Sequence, residues 1–111
     1  MTKGQFETNI AGITYKNDDG SSREEIMKKC TIGEKLTLTH TPIKQDKNAV
    51  KVTRYTGEQI GWLHDFVAKE IAPILDKGKT VAAEITELST FINESGKRMP
   101  KCRILLTKSN H

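Results

Sequence analysis

Aromatic rings are scarce in this chain: six in 111 residues, namely Phe6, Tyr15, Tyr55, Trp62, Phe66 and Phe91. A surface that coats a long single strand stacks base after base on such rings. A protein that works by such stacking has few rings to choose from here. Cysteine is scarcer, with Cys30 and Cys102 far apart. Two cysteines do not make the framework of a small secreted scaffold, so reduced, half-buried thiols are expected. No CxxC, HxxxH or HExxH occurs, and His40, His64 and His111 are scattered, which argues against zinc. No apolar run approaches the ~20 residues that cross a bilayer. Residues 1–6 carry no positive-then-apolar leader pattern. A cytoplasmic protein without a membrane partner is expected.

Catalytic signatures are missing as well. There is no GxSxG and no Walker glycine loop, and the carboxylates are scattered along the chain. Neither cysteine has a positioned histidine in its local sequence. The expectation is a protein that is not an enzyme and needs no cofactor.

What the chain does have is charge of both signs, at 29% of residues, with a net +4 and a pI near 9.1. The mild average hides an asymmetry. Residues 1–30 are neutral, 31–60 carry +2, 61–90 carry −2 and 91–111 carry +4. A basic strand surface facing a polyanion fits this pattern. Lysines that merely solubilise strand edges fit it too.

The length allows one domain, 1–111, with a core expected at about 6–107. Residues 6–10 alternate at period two, as a strand does, and Gly12 breaks the phase as a bulge or bend would, with Ile13 and Tyr15 continuing in the other phase. Residues 16–22 are turn-rich, and Ser22-Arg-Glu-Glu25 has the form of a capping box, so a short helical turn can follow through Met27. Residues 34–41, 49–55 and 59–63 read as strands, the last two as a hairpin across Thr56-Gly57. The period then changes. Phe66/Val67, Ile71 and Ile74/Leu75 recur at helical spacing, Gly78 ends the run, and Pro73 divides it into two short helices. Phe66 and Tyr55 are expected in the core. Residues 81–88 and 101–107 close the chain as strands around a turn at 93–97. Six short strands with few free edges suggest a small, partly closed barrel.

Five blocks taken together resemble the HIRAN domain family. They are Ile10-Ala-Gly-Ile-Thr-Tyr15, Gly33-Glu-Lys-Leu-Thr-Leu38, Asp46-Lys-Asn-Ala-Val-Lys-Val52, Ile60-Gly-Trp-Leu63 and residues 68–75. Their spacing matches as well as their content, over residues 6–107. The resemblance implies a mainly β fold, a modified OB-like barrel of six strands, with two short helices inserted after the fourth strand. Such domains stand at the front of eukaryotic remodelling helicases of the helicase-like transcription factor type. There they bind single-stranded DNA and capture its free 3′ end. In bacteria they occur alone or beside other nucleic-acid enzymes, and this chain resembles the stand-alone kind. Partners implied are single-stranded DNA, with its 3′ end, and a separate helicase or nuclease, in DNA repair.

The resemblance also assigns roles. Tyr15 matches the aromatic that stacks on the terminal base, and Asp46 matches the loop aspartate that holds the 3′-hydroxyl. Vertebrate members have a basic residue at Thr14 and a second stacking ring at Gln45. Trp62 can supply the missing ring. The family's next phosphate contact falls near His64 or Asp65, and Asp65 would repel a phosphate. Among Lys44, Lys47, Lys51 and Arg54, one or two phosphate contacts are expected. Taken without the resemblance, Tyr15 is a half-buried strand tyrosine, Trp62 a core anchor and Asp46 a turn residue. Asn48 and Gly61 look structural. The losses at Gln45 and Asp65 leave an alternative, a protein-interaction module that kept the barrel and lost DNA-end binding.

Overall fold

The structure is a computed structural model, and it describes residues 4–108. His111, one of the scattered histidines, lies outside them. The order of elements is β1 (Gln5–Ala11), α1 (Arg23–Lys28), β2 (Lys35–His40), β3 (Val50–Arg54), β4 (Gln59–Leu63), α2 (Asp65–Asp76), β5 (Val81–Ile92) and β6 (Arg98–Lys108). The six strands form a closed barrel in the order β1-β4-β3-β2-β5-β6, every neighbouring pair antiparallel. A mainly β, six-stranded barrel with two short helices is therefore correct. No helix among the described residues is long and apolar enough to cross a membrane.

The alternation of each strand sorts its side chains. Val50 and Val52 of β3, Ile85 of β5, and Cys102, Ile104 and Leu106 of β6 are fully buried. Two helices complete the core. α1 starts where the capping box was read: the Ser22 hydroxyl accepts from the Glu25 N–H at 3.2 Å. Ile26 and Met27 turn inward, and α1 packs on β4. α2 packs against β2, β3 and β5 through Val67, Ala68, Ile71 and Ala72.

Four expectations need correction. The insertion after β4 is one helix, not two. Pro73 lies inside α2, which continues past it with the Lys77 N–H on the Pro73 carbonyl. Proline removes one helical donor, and the apolar face on either side of it keeps the helix together. Phe66 is 70% exposed and Tyr55 75%, so neither packs the core. The last two strands run further than expected and form a long hairpin, closed by the turn at Asn93–Lys97. Tyr15 belongs to no strand; β1 ends at Ala11, and the chain turns at Gly12 with φ +73°.

Both cysteines are free and more deeply buried than half. Burial pushes the Cys30 thiol up to about 11 and the Cys102 thiol up to about 12. Thiols that stay protonated at neutral pH are poor nucleophiles.

The closing seam between β1 and β4 is short, with only Ile10 opposite Leu63 and Ala11 opposite Trp62. Gly61 makes it possible. A Cβ there would sit 2.5 Å from the Ala11 carbonyl oxygen and 2.5 Å from Ile10 Cγ2. Backbone cannot yield as a flexible side chain does. Gly61→Ala is expected to destabilise the fold by about 1–3 kcal/mol, the usual cost of overpacking, read as a lower urea midpoint.

Candidate nucleic-acid interface

Tyr15 owes its position to a small cage. Its N–H donates to the Gly12 carbonyl at 3.2 Å, closing a tight turn. The Arg23 guanidinium ties that turn down: Nη1 donates to the same carbonyl at 3.0 Å and Nε to Asn17 Oδ1 at 2.8 Å. Asn17 in turn donates to the Gln59 carbonyl at the start of β4 at 3.0 Å. The ring itself stands 69% exposed.

Trp62 meets it there. A Cβ built on Gly12 would lie 3.6 Å from Trp62 Cδ1 and 3.8 Å from Tyr15 Cδ2. Gly12 thus keeps a gap between two rings, and a side chain there would fill it. Trp62 is half-buried, on the outer face of the barrel. It occupies one row with Thr39, Lys51 and Ala11 across four neighbouring strands. Lys51 points outward in this row because Val50 and Val52 on either side point in.

The β2–β3 connection lies one residue beyond the row. Ile43 and Asp46 exchange two backbone bonds, at 3.0 and 3.1 Å, which puts Lys44 and Gln45 at the tip of a tight turn. Asp46 Oδ1 accepts from the Asn48 N–H at 2.8 Å, so Asp46 does hold its turn. Its second carboxylate oxygen has no partner among the described residues. His40 clamps the turn from behind, with Nε2 at 2.7 Å from the Lys47 carbonyl and Nδ1 at 2.7 Å from Asp76 of α2. With both ring nitrogens protonated, each donates to an acceptor. The Lys47 carbonyl, and then the Asp76 carboxylate, raise the His40 pKa above its ordinary value.

Thr14 and His64 share the wall of a cleft of about 470 Å³, together with Asn9, Phe91, Met99 and Lys101. The cleft opens where β1 parts from the long hairpin. The His64 ring stacks on Phe66, with centroids 5.6 Å apart and planes at 20°. Phe66 and Phe91 are exposed rings that the sequence reading left out of the site. Only strand and helix phase, fixed by tertiary packing, reveals them.

Arg54 does not join the others. It is 7% exposed, and its guanidinium donates to Glu34 at 2.8 and 3.2 Å and to Glu58 at 3.0 Å. It is a structural residue facing two carboxylates, and it holds the Glu34 carboxyl below the usual range. Lys44, Lys47 and Lys51, by contrast, have no carboxylate within ion-pair distance among the described residues. Asp65 is exposed in the first turn of α2, where its carboxylate accepts from the Phe66 N–H.

Comparison with known proteins agrees with this architecture. A family model described as the HIRAN domain matches residues 3–105. The crystal structure of the HIRAN domain of human HLTF superposes with a TM-score of 0.61 at 22% identity, over 96% of this chain and 78% of that one. An NMR structure of the HLTF HIRAN domain gives 0.57 at 23%, over 96% and 77%. A crystal structure of a protein from Lactobacillus plantarum gives 0.60 at 14%, over 94% and 99%. No curated protein matches. At these identities the solved structures speak for the fold.

Two outcomes follow from the geometry. Arg54→Ala leaves Glu34 buried without its partner and is expected to cost about 3 kcal/mol, the low end for a broken buried pair, since Glu58 is part-solvated; urea unfolding measures it. For His40, the raised folded pKa means its stabilising contribution is complete below the ordinary value of 6.5. The contribution is lost as pH rises through the higher folded value. A wild-type minus His40→Asn difference in melting temperature should therefore be largest at pH 6 and shrink at alkaline pH. A difference that grew with pH would contradict the clamp.

Proposed function

This chain belongs to the HIRAN domain family, a family of nucleic-acid-binding domains, and we propose that it is a non-enzymatic module that grips single-stranded DNA at its 3′ end. The observation that carries the reading is the meeting of Tyr15 and Trp62 around Gly12, on a face flanked by Lys51. The exposed Tyr15 ring and the half-buried Trp62 ring each offer a base a stacking surface, and an unpaired lysine beside them offers charge to the backbone.

The end preference comes from Asp46. A carboxylate accepts hydrogen bonds and repels anions. Its second oxygen suits a terminal 3′-hydroxyl and disfavours a 3′-phosphate. Lys44 and Lys47 flank it on the same turn, so the phosphate one step inward from the end is balanced. Thr14 and His64, on the cleft wall, take the chain past Tyr15. Gln45 adds no ring at the turn, and Trp62 stands in for it. The whole chain acts as one domain, 1–111, and serves a separate helicase or nuclease that must find DNA ends, in repair within the cytoplasm.

Fluorescence anisotropy with labelled oligonucleotides tests this. Tyr15→Ala and Trp62→Ala are each expected to weaken binding by roughly ten- to a hundredfold, in line with ~1–3 kcal/mol per stacked base. A 3′-phosphate should weaken wild-type binding and have little effect on Asp46→Asn. Equal affinity for free and blocked ends would remove the end preference. No binding at low salt would remove the module and favour the protein-interaction alternative.

A further inference from the structure

Arg23 and Arg54 are both buried, at 9% and 7% exposure, yet their surroundings differ. Arg54 faces two carboxylates. Arg23 has none within 4.0 Å among the described residues, and its bonds go to neutral acceptors, the Asn17 side chain and the Gly12 carbonyl. Asp18 attracts it only from a distance, and burial presses its pKa down. A buried charge without a counter-ion is costly, and such charges are ordinarily paired.

The guanidinium is also not closed off. No buried side-chain nitrogen or oxygen lacks a hydrogen-bond partner among the described residues. Nη2 makes no such bond, so it retains contact with solvent. The guanidinium also lies close to the two rings. A Cβ on Gly12 would be 3.2 Å from Arg23 Nη1, 3.6 Å from the Trp62 indole and 3.8 Å from the Tyr15 ring. Nε and Nη1 are each anchored to the chain. Nη1 lies beside the gap between the two rings, and Nη2, shared by both donor edges of the fork, keeps its N–H groups free of the chain.

We propose that Arg23 is the phosphate ligand of this site, receiving on Nη2 the phosphodiester that links the base on Tyr15 to the base on Trp62. The proposal rests on the single-strand reading above and deepens it. The phosphate supplies the counter-ion that the folded chain withholds. Two rings flanking a guanidinium fix the phosphate between two stacked bases, so the subsite reads backbone and ring together and is indifferent to base identity. Asn17 is a positioning residue for it, because it holds Nε and is itself held by the Gln59 carbonyl.

A structural arginine that only pins the Gly12 turn would also weaken binding when replaced. The salt dependence separates the two roles. Each phosphate neutralised on a single strand adds about 0.7 to the slope of log K against log salt. Arg23→Gln, which keeps N–H donors for the turn, is expected to lower affinity more than tenfold at low salt and to flatten the slope by about 0.7. Arg23→Lys is expected to keep the wild-type slope. Lower affinity in Arg23→Gln with an unchanged slope would overturn the subsite while leaving the single-strand reading intact. Absence of binding by the wild type would overturn both. A measurement on the wild type needs no stable variant. The Arg23 Nε–H resonance should shift on titration with an oligonucleotide and stay in place when its last linkages are neutral methylphosphonates. Equal shifts for both ligands would overturn the proposal.

Discussion

β1 changes partner in mid-strand. It pairs with β6 as far as Asn9 and with β4 at Ile10 and Ala11. The second pairing brings backbone to within 2.5 Å of where a Cβ on Gly61 would be, so only glycine admits it. Because the seam is two residues long, the barrel has little else to close it there. The same crossing makes the site. It sets Trp62 opposite Ala11, one residue from the Gly12 turn that carries Tyr15. It also pulls the end of β1 away from the β5–β6 hairpin, and the cleft at Thr14 and His64 lies in that gap.

The barrel face and the two connections then divide the work. The strands supply a stiff row, Thr39, Lys51, Trp62 and Ala11, whose outward direction is set by the buried residues on either side. The connections supply groups that strands cannot present, a ring on a left-handed turn and a carboxylate at a hairpin tip. Each connection is tied to something rigid. Arg23 and Asn17 fasten the first to β4, and His40 fastens the second to α2. Loops held in this way bind without first being ordered, which lessens the entropic cost of capture.

Much of the architecture was legible in the sequence, and the misses have physical causes. Strand alternation was reliable. In β3 it places Arg54 inward with Val50 and Val52, and Tyr55 outward. Residue class suggested the opposite, because an aromatic looks like core and an arginine like surface. Glu34, twenty residues earlier, makes the inward arginine tolerable, and no local pattern shows that. In α2 the buried face is Val67, Ala68, Ile71 and Ala72. Two of these are alanines, which carry little weight in a hydrophobic pattern, so the apparent stripe drifted by one residue and took in Phe66. For the candidate site, Tyr15, Asp46 and Trp62 were singled out through the family resemblance. Arg23 was not, because its significance depends on the absence of a carboxylate near it in space.

The scarcity of rings bears on how such a module works. Two stacked bases contribute about 2–6 kcal/mol, which alone corresponds to a dissociation constant of tens of micromolar at the very best. A few phosphate contacts add to this and vary with salt. Such a grip is too weak to hold a DNA end against competitors unaided. It becomes effective when a partner enzyme holds the same DNA, since the second contact is then intramolecular and sees an effective concentration in the millimolar range for a close attachment. A mildly basic surface with two rings therefore fits the proposed reader of ends, in which selectivity would come from Asp46 and residence time from a partner. In such a reader, more rings or more charge would raise affinity along the whole strand and dilute a preference for its end.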